Sequence, residues 1–134
     1  VANNNGFLGE DISINIVHTR QLTENRSYWF LKNLPEQAGL TLYGSPIIHS
    51  FPNKHVLTEN GISGLQMMIE SHCAFHDWPD GRATHKKPYA HITISSCKPI
   101  NLENVLAFIQ EIFETYAITW DRTLWRLPDD DDGE

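Results

Sequence analysis

No stretch of this 134-residue chain approaches the length of a membrane span, no Gly-rich phosphate loop follows a strand pattern, and no basic patch extends beyond Lys86 and Lys87. The first absence excludes a transmembrane helix, the second a P-loop or dinucleotide fold, and the third a nucleic-acid-binding surface. Cysteine is scarce too. Cys73 and Cys97 could form one bridge, but no C-x-x-C pair and no signal-peptide pattern accompany them. Reduced thiols in a cytoplasmic protein are therefore expected. The chain begins at Val1 rather than Met, so its first residues carry little weight about targeting.

The net charge of -7 has a local origin. Five of the seventeen acids are Asp129, Asp130, Asp131, Asp132 and Glu134, and without them twelve acids face ten bases. The body of the chain is close to neutral, and residues 129–134 are expected to form a solvated, disordered tail. Residues 1–10, rich in Asn and Gly, are expected to be mobile. That leaves 11–128 as one domain, long enough to bury a core without disulfide or metal support.

Alternation over 11–17 puts Ile12, Ile14 and Ile16 on one side and predicts a first strand. Residues 19–38 carry Leu22, Tyr28, Trp29, Leu31 and Leu34 at helical spacing, with Ser27 as N-cap and Pro35 ending or kinking the helix near Asn33. A β-branched and aromatic run over 40–50, broken by Gly44 and Pro46, reads as a second strand at an edge or bulge, followed by a polar loop over 53–60. Over 62–75 the odd positions Leu65, Met67, Ile69, Cys73 and Phe75 are apolar, while Gln66, Glu70 and His72 take the even face with His76. Ser71 falls on the apolar parity, so a strained bend near it is needed to bring it to the histidines. Residues 80–88 form a loop. The next run, 89–97, alternates Ala90, Ile92 and Ile94 against His91, Thr93, Ser95 and Cys97. Asn101 caps a helix whose stripe is Leu102, Val105, Leu106, Ile109, Ile112, Phe113 and Tyr116, and 117–127 form a last strand. The order lacks repeating βα units, which points to an α+β two-layer sandwich: a mainly antiparallel sheet with two helices on one face. His76, His91 and Cys97 are left on the other face.

Reactive side chains crowd into one stretch, GISGLQMMIESHCAFHDWPD at 61–80. The plainest reading is the polar edge of an ordinary sheet, its hydroxyls and imidazoles satisfied by neighbours. A metal site could draw on His72, Cys73, His76, His91 and Cys97, although the two cysteines fall on opposite parity. A hydrolase could use Ser71, His76 and Asp77 or Asp80, but no G-x-S-x-G elbow is present and adjacent strand residues do not converge as a triad.

The same stretch resembles the prokaryotic S-adenosylmethionine decarboxylase family, whose motif is Gly-Val/Ile-Ser-Gly, a short apolar strand, Glu-Ser-His, three residues, His, one residue, and Trp-Pro-acid. The spacing agrees throughout, and Ser96-Cys97 matches a later strand ending in a hydroxyl residue and cysteine. The resemblance implies a proenzyme that cuts itself between Glu70 and Ser71 and converts Ser71 into a pyruvoyl group, with His76 removing the serine's α-proton and Ser63 assisting. It further implies that this carbonyl condenses with the amine of S-adenosylmethionine, that Cys97 returns a proton to carbon after decarboxylation, and that the product serves spermidine synthesis. Phe51 maps to an adenine-stacking aromatic and Asp80 to a ribose-binding acid. A homodimer paired through the exposed sheet face is expected, with no metal, nucleic acid or membrane partner. Departures are Asp80 where Glu is usual, Lys98 where Gly is typical, and a longer loop after Phe51. They leave open ornithine or arginine as substrate, and a non-catalytic homologue with a binding or regulatory role.

Overall fold

The computed structural model describes residues 6–19, 22–51 and 60–129. The expected polar loop lies outside the described residues apart from Asn60, as do residues 1–5 of the opening segment and 130–134 of the acidic tail. Among the described residues the elements run β1 (Glu10–His18), α1 (Glu24–Ala38), β2 (Ile47–Phe51), β3 (Gly61–Met68), β4 (Ser71–Trp78), β5 (Tyr89–Ser96), α2 (Leu102–Phe113) and β6 (Thr115–Leu124). One sheet holds the strands in the order β2-β3-β4-β5-β1-β6, every pairing antiparallel. The fold is the α+β two-layer arrangement expected, with α1 and α2 on one face. Neither described helix is long and apolar enough to cross a membrane.

The core follows from alternation. Ile12, Ile14 and Ile16 of β1, Ala90, Ile92 and Ile94 of β5, and Cys73 and Phe75 of β4 all turn toward the helices and are buried. Phe30 of α1 joins the layers, stacking on Phe108 at 5.6 Å and meeting Phe75 and Phe113 edge-on at 5.7 and 5.1 Å.

Helix ends differ from expectation in instructive ways. Thr23, not Ser27, caps α1, its hydroxyl accepting the Arg26 N–H at 3.2 Å, while Ser27 is buried inside the helix. Pro35 does not stop α1, which continues to Ala38 and ends at Gly39 in the left-handed region, φ 79°. Pro35 removes one i→i−4 donor, but the residues after it still close the turn, the Gly39 and Leu40 N–H groups donating to the Glu36 and Pro35 carbonyls at 3.1 and 2.8 Å. Asn101 caps α2 as expected, accepting from Asn104 N–H at 3.1 Å. That helix stops at Phe113, with Glu114 at φ 50°, so Tyr116 belongs to β6 and not to the helical stripe.

The largest correction concerns residues 62–75. They form a hairpin, not one strand, with Ile69 and Glu70 as the turn between β3 and β4. A two-residue turn resets which parity faces inward. Ile62, Gly64, Gln66 and Met68 therefore face the helices, while Leu65, Met67 and Ile69 are exposed. Buried Gln66 offers its amide nitrogen to the carbonyls of Tyr43 and Gly44 at 3.1 and 3.2 Å, which makes an inward polar residue tolerable. Neither turn residue adopts a left-handed conformation, so the strained bend expected at Ser71 is absent. The expected second strand over 40–50 also divides. Only Ile47–Phe51 is a strand, whereas Leu42 makes an isolated bridge to Met68 beyond Gly44 and Pro46.

Gly64 marks where α1 seats on the sheet. A Cβ there would lie 2.4 Å from Leu31 Cδ1, 2.5 Å from Ile48 Cδ1 and 2.8 Å from Phe75 Cε1. Gly64→Ala is expected to cost about 1–3 kcal/mol by overpacking, measured by urea unfolding. An unchanged midpoint would show that these three side chains can withdraw freely.

Candidate active site

The face away from the helices carries the polar residues. Register aligns His49, Ser63, His76, His91, Asn15 and Thr119 in one row across all six strands. Within it Ser63 Oγ and His76 Nδ1 lie 2.8 Å apart, and His91 Nδ1 lies 2.7 Å from Asn15 Oδ1. His91 has its pKa lowered by burial and, secondarily, by His76 beside it. Protons are therefore disfavoured on His91, leaving its ring a neutral neighbour of the Ser63–His76 pair.

A second cluster occupies the far end of β4. Ser71 is its first residue, its Oγ 3.2 Å from His72 Nδ1. The carbonyl of Glu70, on the other side of the same peptide bond, accepts the Cys97 N–H at 3.1 Å. The Glu70 side chain is 4% exposed, and its carboxylate accepts Thr41 N–H at 2.8 Å and Thr41 Oγ–H at 2.9 Å, with Lys98 Nζ at 3.7 Å. Burial works to raise the Glu70 pKa, but the Thr41 bonds, its own backbone and the Lys98 charge outweigh it, and the carboxyl sits below its ordinary range. The Cys97 side chain is exposed, whereas the other thiol, Cys73, is buried in the core and pushed up to about 12.

Structure thus brings together some of the expected residues and separates others. Ser63 meets His76, and the Cys97 N–H reaches the Glu70 carbonyl on the acyl side of Ser71. Ser71 and His76 do not meet: they stand five positions apart at opposite ends of β4, about 16 Å along the strand. Phe51 and Asp80 line one cavity of about 420 Å³ with Leu22, Gly61, Ile62 and Pro79, at the end of the sheet nearer Ser63. The triad of Ser71, His76 and Asp77 does not form, because Asp77 points into the core. Among the described residues no group of three or more His, Cys, Asp or Glu could hold a metal ion.

The family model for S-adenosylmethionine decarboxylase matches residues 20–124. The chain belongs to the S-adenosylmethionine decarboxylase family. A solved structure, the adenosylmethionine decarboxylase from Aquifex aeolicus, superposes with a TM-score of 0.62 over 92% of this chain and 94% of that chain, at 17% identity. At that identity the likeness is one of fold. A comparison with curated protein sequences finds no match.

Several contacts at the site of this decarboxylase-family chain were not foreseen. Thr41 and Lys98 on Glu70, and Asn15 on His91, join residues 29, 28 and 76 positions apart, and no local pattern reports such pairs. His72 stood out in the sequence as a possible metal ligand and a motif neighbour of Ser71, not as a partner of its hydroxyl. Most hidden is the hydrogen-bonded pair beneath the sheet: His18 Nε2 lies 2.7 Å from Asp77 Oδ1, both side chains fully buried. β5 runs between their strands and offers only Ala90 at that level, so the two can reach across it. Phe113 meets the His18 ring edge-on at 5.1 Å.

Desolvation pushes the Asp77 carboxyl above its ordinary 3.8 despite the His18 hydrogen bond and charge, with Asp80 adding to the rise. For an acid raised in the folded state, the contribution to stability is complete below 3.8 and is lost as pH rises through the raised value. Asp77→Asn is accordingly expected to gain on the wild type in urea unfolding between pH 4 and pH 7. Asp77→Ala, which strands His18, should lose roughly 3–5 kcal/mol. A difference between wild type and the Asn variant that does not vary with pH would show that Asp77 keeps an ordinary acidity.

Proposed function

We propose that the chain is a pyruvoyl-dependent S-adenosylmethionine decarboxylase that cuts itself between Glu70 and Ser71 and works as a homodimer paired through its open sheet face. The observation that carries this reading is the Glu70–Ser71 peptide itself. Its carbonyl rests on the Cys97 N–H, the donor a tetrahedral oxyanion needs, and the Ser71 hydroxyl beside it touches His72, a ring able to take its proton. Attack of Ser71 Oγ on the Glu70 carbonyl carbon breaks the amide and forms an ester, freeing the Ser71 nitrogen. Removal of the Ser71 α-proton then expels the Glu70 carboxylate, and hydrolysis of the resulting enamine consumes one water and releases ammonia. The residues present fit the pyruvoyl group so formed, because Ser71 begins a strand and pairs with Ser96, the residue before the exposed Cys97. When present, that group supplies a carbonyl that takes up the substrate amine and accepts the electrons left by carbon dioxide. Cys97 then returns a proton to the substrate carbon.

The base for the α-proton is His76, held by Ser63, and it cannot come from the same chain as Ser71. Two copies stacked through their open faces about a two-fold axis bring the Ser63–His76 end of one over the Ser71–Cys97 end of the other. Ile47, Leu65 and Met67, exposed between the two ends, give that face apolar area to bury. Phe51 and Asp80 in their shared cavity suit a nucleoside, the ring stacking on the base and the carboxylate accepting from ribose hydroxyls. The product serves spermidine synthesis in the cytoplasm. Asp80, one methylene shorter than Glu, supports a second reading in which the substrate is ornithine or arginine.

Intact-mass measurement of the expressed chain is expected to show two fragments, one ending at Glu70 and one beginning at position 71, and Ser71→Ala a single uncut chain. Neither Ser71→Ala nor His76→Ala homodimers should be active, but their co-expression should restore cleavage of the His76→Ala chain, since its Ser71 meets the partner's intact imidazole. Absence of such rescue would remove the two-chain site. Cys97→Ala keeps the backbone N–H, so it should cut normally while carbon dioxide release from S-adenosylmethionine falls roughly 100-fold or more. Release from ornithine or arginine instead would select the second reading.

A further inference from the structure

Thr41 lies outside the motif stretch, yet it touches the turn that carries the scissile bond three times. Its N–H and hydroxyl hold the Glu70 carboxylate at 2.8 and 2.9 Å, and its carbonyl accepts the Ile69 N–H at 3.0 Å. Thr41 is in turn anchored close to the end of α1, where the Leu40 N–H donates to the Pro35 carbonyl at 2.8 Å and the Asn101 N–H to the Ala38 carbonyl at 2.9 Å. On the opposite side of the turn the Cys97 N–H holds the Glu70 carbonyl, and the Lys98 N–H donates to Ser96 Oγ at 2.9 Å. The residue on the acyl side of the bond is thus gripped by both its side chain and its carbonyl.

We propose that Thr41 is a positioning residue for self-cleavage: by fixing the Glu70 side chain it holds the Glu70 carbonyl on the Cys97 N–H while Ser71 attacks. The inference rests on the reading that the chain cuts itself. Its physical basis is that attack turns a planar carbonyl carbon tetrahedral, and an oxyanion donor is effective only if the oxygen stays within hydrogen-bond range as it moves. An unrestrained turn between two strands could swing that oxygen away. A second consequence follows cleavage. Glu70 then ends its chain with two carboxylates, and the Thr41 donors, the Cys97 N–H and the Lys98 ammonium all remain on it, so the cut end stays in place after the peptide bond is gone.

The test compares first-order cleavage rates, followed by intact mass, in Thr41→Val and Thr41→Ser. Valine removes the hydroxyl at nearly constant shape and is expected to slow cleavage about tenfold, whereas serine should stay within about twofold of wild type. A purely structural role is separated by Asn101→Ala, which removes the cap of α2 without touching the turn. If Thr41 acts by position, this variant lowers Tm but cuts at the wild-type rate. Hydrogen exchange gives a readout independent of chemistry: in the Ser71→Ala background, where no chain is cut, Thr41→Val should expose the Cys97 amide to faster exchange. Wild-type cleavage in Thr41→Val, equal slowing in Asn101→Ala, or an unchanged Cys97 amide would each overturn the proposal while leaving the decarboxylase reading standing. A wild-type chain that never cuts would overturn both.

Discussion

The rise of an extended strand, about 3.3 Å per residue, is the constraint on which the rest of this structure depends. Ser71 opens β4 and His76 stands near its other end, so no rotamer change can bring the hydroxyl and the imidazole together. Every other feature of the open face is arranged about that separation. Ser63 sits opposite His76 because β3 pairs with β4 in one register, and Cys97 sits by Glu70 because β5 pairs on the other side in another. A one-residue slip in either pairing would turn the reactive side chains into the core. Residues of a single motif are thereby divided between two clusters at opposite ends of β4, which the chain by itself does not bring together.

Much of the fold was legible because its signals are local. Ile12, Ile14 and Ile16 alternate in β1, Asn101 caps α2, and Ala90, Ile92 and Ile94 alternate in β5, all as the residues suggest. The hairpin over 62–75 was not legible, and the reason is physical. Its turn is Ile69-Glu70, with no Gly, Asn, Asp or Pro to announce it. The turn is held instead by Glu70 reaching Thr41, a contact 29 residues distant. Apolar Leu65 and Met67 then imitate an inward face while Gln66 takes the buried position. In the site, Ser71, Ser63, His76 and Cys97 could be named from spacing, but their division into two clusters required the register.

The helix side of the sheet carries more polarity than a core ordinarily tolerates. His18, Asp77, Gln66, Ser96, Glu10 and Glu70 are all buried, and most are tied across the fold. Glu10 accepts the Ile100 N–H at 2.8 Å and pairs with Arg122 at 2.9 Å, fixing the approach to α2 against both β1 and β6. Pairs of this kind contribute little net stability once desolvation is counted, but a wrong register leaves each partner buried alone, which is costly. They favour the one alignment in which the open-face row forms. His18–Asp77 lies beneath the His76 end and Glu70–Thr41 beneath the Ser71 end, so both half-sites rest on buried polar supports.

Those supports bear on why the residue before Ser71 should be glutamate. An apolar side chain at position 70 could be buried, but it would leave the Thr41 N–H and hydroxyl without acceptors, and a shorter acid would reach them only by pulling the turn toward α1. Glutamate satisfies both donors and keeps its negative charge, as its lowered pKa records. In the proposed self-cleavage, that charge lies one residue from the hydroxyl that would lose a proton, where it disfavours an alkoxide and makes a nearby acceptor for the proton more valuable. His72, whose ring reaches Ser71 Oγ, answers that need within the same chain. In the proposed self-cleavage, the ester-forming step would therefore be served locally, and the α-proton step would be the one that calls for a second copy.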